Sequence, residues 1–131
     1  MNHALLIRER EALTPETAEL FVRATLGGVN VDGYPTPLQH ELIRQVAEHV
    51  FGLTVDVATL EPLDAAAAKE LIDDPALARR LVQAIVTLEM LDDPVPPALA
   101  THIRRYARTL GVDEPMVNAA RHAARGHLAL M

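Results

Sequence analysis

The amino-acid sequence predicts an all-α protein, a single bundle of six to seven helices. Hydrophobic residues make up 50% of the 131-residue chain, yet it holds only two Phe, two Tyr and no Trp, so Leu, Val, Ile and Ala must form the core. These side chains suit packed helices better than a β-sandwich. Apolar residues recur at spacings of three and four, the period of an amphipathic helix. The length is sufficient for one domain with its own core.

The first helix starts are marked by threonine and proline. Residues 2–11 predict a short helix. Thr14 followed by Pro15 predicts the start of the second, since a threonine hydroxyl caps backbone N–H groups and proline needs no donor there. Gly27 and Gly28 are expected to end it, because glycine readily adopts the left-handed closing conformation. The predicted buried face consists of Ala18, Phe21, Val22, Thr25 and Leu26.

The third helix begins with a Thr-Pro-x-Gln pattern. Thr36, Pro37 and Gln39 predict a capping box, in which the two side chains each bind the other residue's backbone N–H. Gly52 is expected to close this helix, and residues 53–60 predict a loop. The predicted core-facing stripe is Leu38, Leu42, Ile43, Val46, Val50 and Phe51.

Two further helices follow this loop. The pair Glu61-Pro62 predicts the start of the fourth helix, which continues through an alanine-rich stretch to about Ile72. Asp74 and Pro75 predict the cap and first position of a long, strongly apolar helix, which is expected to be central. Its predicted inward residues are Leu77, Leu81, Ala84, Ile85 and Leu88.

The last two helices also have clear starts. Pro97 predicts one helix, which Gly111 ends, with Leu99, Ile103, Tyr106, Ala107 and Leu110 inward. Asp113-Glu114-Pro115 predicts the start of the final helix, since an aspartate cap is followed by an acid and a proline in the first turn. Its predicted apolar face is Met116, Val117, Ala120, Ala124 and Leu128.

The chain contains an internal repeat. When it is displaced by 60 positions, residues 14–50 align with residues 74–110 without a gap and share nine identities. In both copies an apolar helix enters an acidic elbow, residues 29–37 in the first and 91–97 in the second, and proline then begins another helix. A single core would form where the apolar faces of the two units meet. The identical pairs are Pro15/Pro75, Ala18/Ala78, Val22/Val82, Ala24/Ala84, Asp32/Asp92, Pro37/Pro97, Ile43/Ile103, Arg44/Arg104 and Ala47/Ala107.

Net charge and cysteine content exclude several classes of function. The formal net charge of −6 argues against a general nucleic-acid-binding protein. The chain has no cysteine, no signal-peptide pattern and no apolar run of the roughly 18 residues that span a bilayer. These features predict a cytoplasmic protein without a transmembrane segment, disulfide bonds or thiolate metal ligands.

The charge is unevenly distributed along the chain. Residues 1–74 hold 13 acidic and 5 basic residues, whereas residues 75–131 hold 5 acidic and 7 basic ones. The basic part predicts a docking surface for an acidic protein partner, although ordinary solvated helix faces would have the same composition. Its residues are Arg104, Arg105, Arg108, Arg121 and Arg125.

The two acidic elbows invite comparison with a calcium-binding loop. Such a loop needs oxygen ligands at positions 1, 3 and 5, glycine at 6 and a bidentate Glu at 12. With Gly33 at position 6, Asp32 stands at position 5, but Gly28 stands at 1 and the neutral Gln39 at 12. Turns and caps therefore explain the first elbow better than a calcium site does. The second elbow fits less well, with Leu88, Met90 and Leu99 at positions 1, 3 and 12.

The motifs follow one another in a fixed order over about residues 14–125. They are Val31-Asp32-Gly33, Thr36-Pro37 and Phe51-Gly52-Leu53, then Leu91-Asp92-Asp93, Pro96-Pro97 and Leu110-Gly111-Val112. This order resembles the TerB-like family, the all-helical domains named for the tellurite-resistance TerB proteins. The resemblance implies a non-enzymatic domain tied to stress response, metal or oxyanion tolerance and membrane-associated complexes. Related domains occur in some co-chaperones.

The resemblance also implies a candidate metal site. Paired elbow acids in the family are associated with divalent-metal binding, and the corresponding residues here are Asp32, Asp92 and Asp93. The family usually carries Glu seven residues after the elbow aspartate, where this chain has Gln39 and Leu99. The fold therefore carries over better than the metal site, and we expect no cofactor.

Groups suited to catalysis are sparse. The chain has no serine and no cysteine, and its helical threonines lie on no glycine-flanked turn. Glu89 lies in the most apolar predicted helix. We expect it at the helix edge beside an arginine, whereas burial would raise its pKa and suit it to acid–base chemistry. His102 is expected on the surface.

The sequence therefore predicts a non-enzymatic module for protein interaction or stress response. Two alternatives stay open: a divalent-metal-binding or sensing domain that uses the acidic elbows, and a small-molecule- or lipid-binding helical enzyme with an apolar cavity between the helix pairs. The apolar end at residues 128–131 further predicts homo-oligomerisation through the last helix, or a longer chain of which residues 1–131 are the N-terminal part.

Overall fold

A computed structural model describes residues 14–91 and 95–129, with side chains described up to residue 124 of the last helix. This part contains six α-helices and no strand, which confirms the predicted all-α bundle. The helix predicted at residues 2–11 lies outside the described residues. The helices are α1 (Pro15–Gly28), α2 (Pro37–Phe51), α3 (Ala65–Leu71), α4 (Pro75–Glu89), α5 (Pro97–Thr109) and α6 (Glu114–Ala129), with a short 3₁₀ helix at Val57–Thr59.

Helix α4 is the centre of the bundle, as its strongly apolar sequence predicts. It packs against α1, α5 and α6. Its fully buried side chains include Leu81, Val82, Ile85 and Val86, which face several neighbours at once. Its polar residues Arg79, Gln83 and Thr87 are exposed, and the neighbouring helices cover its apolar side.

The helix starts predicted at Thr14, Thr36 and Asp74 are present with their expected hydrogen bonds. The Thr14 hydroxyl accepts the N–H of Thr17, and the Asp74 carboxylate accepts the N–H of Ala76. Thr36 forms both bonds of the predicted capping box. These local contacts satisfy backbone donors that the helices leave unpaired, so each start is specified by a few adjacent residues.

Helix α1 ends at Gly28, as predicted, but not through the predicted left-handed conformation. Neither Gly27 nor Gly28 has positive φ, and the C-cap is Val29. Instead, each allows close packing. A Cβ on Gly27 would collide with the Leu63 carbonyl oxygen, and a Cβ on Gly28 would collide with the Ile85 side chain. The glycines therefore let α1 approach both the segment before α3 and the central helix.

The core-facing side of α2 differs from the predicted stripe. Ile43 and Ala47 are buried, as expected for aliphatic side chains, and Gln39 is also buried. Three residues of the predicted stripe face solvent: Leu38 is 58% exposed, Val46 42% and Val50 37%. Because α2 lies at the edge of the bundle, its apolar surface is wider than the area that its neighbours cover.

Helix α3 begins later than predicted, and the loop before it carries short structure. The helix starts at Ala65 after the cap Asp64 rather than at Pro62, because the Asp64 carboxylate accepts the N–H of Ala67. The segment before the helix is instead bound to α1, where the Leu63 N–H donates to the Arg23 carbonyl oxygen. This contact explains why proline does not open the helix there.

The helix starts match the spacing of the internal repeat. Pro15 and Pro37 begin α1 and α2, and Pro75 and Pro97 begin α4 and α5, at the same separation. The three-dimensional equivalence of the two halves stays a prediction. Within the described ranges, no helix combines the length and apolar character needed to cross a membrane.

Replacing Gly27 with alanine is expected to lower the free energy of unfolding by more than about 2 kcal/mol. The new methyl group must displace the backbone at Leu63 and disturb the Tyr106 hydroxyl, which would lie 2.9 Å from it. Urea denaturation measures the loss. The control is Gly33→Ala, at a φ of 84° but in open space, which should cost about 1–2 kcal/mol. A Gly27→Ala loss no larger than the control's would contradict the packing role.

Candidate functional site

A buried ion pair joins α4 to α6. The Glu89 carboxylate accepts two hydrogen bonds from the Arg121 guanidinium, Nε to Oε1 at 2.7 Å and Nη2 to Oε2 at 2.9 Å. The Glu89 side chain is 1% exposed and the Arg121 side chain 17%. The hydrogen bonds that Arg121 donates to Glu89 hold the pKa of Arg121 above its ordinary value. Glu89 is thus paired with an arginine as expected, but in the core rather than at the helix edge.

Gln39 joins α2 to the same end of α4. Its Oε1 accepts the backbone N–H of Thr36 at 2.8 Å, and its Nε2 donates to the Leu88 carbonyl oxygen at 3.1 Å. The side chain is fully buried. A buried amide needs partners at both ends, and Gln39 has them. The last turn of α4 is therefore held by polar contacts from both α2 and α6.

Three arginines form a basic row on the outer face of α5. Arg104, Arg105 and Arg108 are exposed, and their spacing places them on one side of the helix. We call this row the arginine stripe. Within residues 14–91 and 95–124, no carboxylate forms an ion pair with these guanidinium groups. Their one side-chain hydrogen bond in this part is Arg104 Nη2 to Thr101 Oγ1, at 3.5 Å.

The other two arginines of the predicted docking surface do not join the stripe in the described structure. Arg121 is held in the interface between α4 and α6 by Glu89, so its guanidinium is used internally rather than offered to a partner. The side chain of Arg125 lies outside the described part. Grouping arginines by sequence could not separate them, because the partner of Arg121 lies 32 residues away.

A polar pocket of about 330 Å³ lies beside the arginine stripe, and Arg105 forms part of its wall. His102 Nε2 lies 2.9 Å from the Gly27 carbonyl oxygen, and the Tyr106 hydroxyl donates to the Leu63 carbonyl oxygen at 2.9 Å. Because a carbonyl oxygen only accepts, the first contact places the ring proton of His102 on Nε2. His102 is half-buried and binds the backbone of α1, so it is not the surface residue that the sequence predicts.

The titratable groups of this pocket serve the fold. Burial, and then the negative charge of Asp64, raise the pKa of Tyr106, so its phenol stays neutral. The Asp64 carboxylate itself caps α3. The His102 ring and the Tyr106 hydroxyl each bind a backbone carbonyl oxygen. The cation that the pocket presents without an ion-pair partner among the described residues is Arg105, which suits recognition of an anion rather than acid–base chemistry.

An apolar groove of about 240 Å³ lies on the other side of the bundle, between α1, α2 and α4. The Phe21 and Phe51 rings meet edge to face at one of its walls, with centroids 5.2 Å apart. Val46, which is 42% exposed, forms part of another wall, so the groove opens to solvent. It is an opening at the edge of the bundle, where α4 meets the pair α1 and α2, and the enzyme alternative with an apolar cavity between the helix pairs stays a prediction.

A third depression, of about 370 Å³, lies where α3 ends and α4 and α6 begin. Its acids include Asp74 and Asp113, which accept the N–H groups of Ala76 and Met116. Both carboxylates are therefore helix caps. Caps of this kind stabilise helix starts, and they do not form a reactive pair.

The described part of the elbows offers one of the three predicted metal ligands. Asp32 is exposed beside Gly33, whose φ of 84° forms the turn. Asp92 and Asp93 lie outside the described residues, so the paired-acid site stays a prediction. Across residues 14–91 and 95–124, no three His, Asp or Glu side chains are grouped as metal ligands.

Comparisons with known protein families, characterised proteins and solved structures found no match. The TerB-like resemblance therefore rests on the order of the motifs alone and stays a prediction.

We expect no saturable rise in melting temperature when the metal-stripped protein is titrated with Ca²⁺, Mg²⁺, Mn²⁺ or Zn²⁺. The Gln39 Oε1, the atom that would bind a metal, already accepts the Thr36 N–H, and the Nε2 contact to Leu88 holds the buried amide in place. A rise that grows with metal concentration and is lost in Asp32→Asn, but kept in the exposed control Glu70→Gln, would contradict this expectation.

Proposed function

We propose that the chain is a non-enzymatic protein-interaction module of the TerB-like type, and that the arginine stripe binds an acidic segment of a partner protein. The observation that carries the proposal is the exposure of three neighbouring guanidinium groups with no ion-pair partner among the described residues. Uncompensated charge of one sign on one helix face attracts a partner of the opposite sign.

Another arginine of the same chain has its positive charge compensated by neighbouring carboxylates. Arg44 on α2 lies between Glu41 and Glu48, with N–O distances of 2.6 and 2.8 Å. The hydrogen bonds from Arg44 lower the pKa of Glu41 to about 2. The arginine stripe has no such flanking acids on α5, although the whole chain has a net charge of −6. Its positive charge is therefore a local reversal on an acidic protein.

The chemistry of arginine favours carboxylates as the bound groups. The planar guanidinium presents a fork of N–H donors that matches a carboxylate, which a lysine ammonium does not. The first and last guanidinium groups are four residues apart, about 6 Å along the helix axis. That length suits one or two turns of an acidic helix, or a short run of Asp and Glu.

A protein partner fits better than a nucleic acid. The net charge of −6 repels a polyanion at long range, and three arginines on one helix face are a small basic area. The aromatic residue nearest the stripe, Tyr106, is buried and therefore offers no ring on which a base could stack. An acidic protein segment carries fewer charges and is attracted by the local field alone.

Contacts within the fold also favour a non-enzymatic role. The best acid–base candidates among the described residues, Glu89, His102 and Tyr106, each bind another group of the fold. We propose that such a module acts in stress response or in metal and oxyanion tolerance, as the TerB-like resemblance implies. Its contribution there would be to hold a partner rather than to transform a substrate.

Charge reversal of the stripe tests the proposal. The triple variant Arg104→Glu, Arg105→Glu and Arg108→Glu is expected to bind a fluorescein-labelled glutamate-rich peptide about tenfold or more weakly, because each exposed charge pair contributes about 0.2–1 kcal/mol. Fluorescence anisotropy at low ionic strength measures the affinity, and added salt should weaken binding to the wild-type protein.

A matched variant separates the stripe from net charge. Arg44→Glu, Lys69→Glu and Arg79→Glu change the charge equally on α2, α3 and α4, and should affect peptide binding far less. Equal weakening by both triple variants would contradict a local site. Tighter binding of a labelled oligothymidine than of the peptide would contradict a protein partner.

A further inference from the structure

The two hydroxyl groups that line the apolar groove are both hydrogen-bonded within their own helices. Thr25 Oγ1 donates to the Phe21 carbonyl oxygen at 2.8 Å, and Thr87 Oγ1 donates to the Gln83 carbonyl oxygen at 2.8 Å. Neither hydroxyl therefore needs a partner from an occupant. A groove with this lining discriminates by hydrophobic contact, so a suitable occupant presents apolar side chains.

The surface of α2 beside the groove extends this apolar area. Leu38, Leu42, Val46 and Val50 follow one another every four residues, which forms one continuous line along the helix. Three of them are among the most exposed large hydrophobic residues of the described structure. Covering such side chains yields about 25 cal/mol per Å² of apolar surface removed from water, so an occupant would be stabilised.

The chain itself supplies a suitable occupant. Residues 1–13 directly precede Thr14, the N-cap of α1, and they include Leu5, Leu6 and Ile7. Phe21, where the groove meets α1, lies six residues after the first residue of that helix, about 9 Å along its axis. Seven residues join Ile7 to Thr14 and span at most about 25 Å, so the aliphatic side chains can reach the groove.

One further consideration favours this segment over a second copy of the chain. A segment tied by a short linker is present at an effective concentration in the millimolar range, which exceeds ordinary protein concentrations.

We propose that Leu5, Leu6 and Ile7 dock in the apolar groove of the same molecule. The segment covers the exposed line of α2 and closes the edge of the bundle between α1, α2 and α4. This inference is independent of the arginine stripe, which lies on α5.

Paramagnetic labelling tests the proposal directly in the full chain. Because the protein has no cysteine, His3→Cys creates a single site for a nitroxide label. The label is expected to remove most of the methyl signal intensity of Leu42, Val46 and Leu88, which line the groove. A control label at the exposed Glu70→Cys on α3 should leave these three signals much stronger.

Two variations separate the alternative occupants. Adding Leu5→Ser and Leu6→Ser to the labelled protein should restore the methyl signals, while far-UV circular dichroism checks that the bundle is intact. Mixing labelled protein without isotope enrichment with enriched, unlabelled protein reports contacts between molecules. Broadening in the mixture as strong as the labelled fraction allows would overturn the proposal in favour of a second copy. No broadening beyond the Glu70→Cys control would overturn it in favour of a groove left open for another protein.

Discussion

The ion pair between Glu89 and Arg121 constrains the whole bundle. A carboxylate that is 1% exposed is costly to bury unless a cation with matched donors accompanies it, and the bidentate contact from α6 supplies that cation. Loss of one partner from such a buried pair costs about 3–5 kcal/mol, a large share of the 5–15 kcal/mol of an ordinary domain. Helix α6 must therefore lie against the end of α4.

The neighbouring residue extends this constraint to α2. The Leu88 carbonyl oxygen accepts the Gln39 amide, so consecutive residues of α4 bind helices on two sides. Gln39 also caps α2 through Thr36, so the same side chain fixes both where α2 begins and which face it turns inward. The exposed line of Leu38, Val46 and Val50 follows from that orientation.

This arrangement divides the arginines into two groups. Arg121 is required by the fold, whereas Arg104, Arg105 and Arg108 have no ion-pair partner among the described residues. The apolar groove and the arginine stripe lie on different helices, so the molecule presents two chemically distinct surfaces. An acidic partner on one and the chain's own aliphatic segment on the other can be present together without competition.

The sequence predicts well the features that depend on adjacent residues. The capping box of Thr36 and Gln39 and the central position of α4 follow from local pattern, because caps and helical period act within one or two turns. The end of α2 at Gly52, whose φ is 64°, also follows from local pattern.

The sequence predicts poorly the contacts between distant segments. Glycine is a residue typical of helix ends, but Gly27 is needed because the Leu63 backbone packs against it. The sequence separation of the two residues does not predict that contact. His102 and Arg121 have polar side chains typical of a surface, yet each reaches a partner on another helix. For α2, the periodicity predicts an apolar face, but two adjacent apolar lines were available, and Gln39 decides which is buried.

A double-mutant cycle on Glu89 and Arg121 tests the central claim most directly. Urea denaturation would give the unfolding free energies of Glu89→Leu, Arg121→Leu and the double variant. Each single replacement should cost about 3 kcal/mol or more, and the double variant should lose much less than the sum, because it leaves no charge buried alone. Additive losses, or single losses below about 0.5 kcal/mol, would contradict the claim that this pair fixes the bundle.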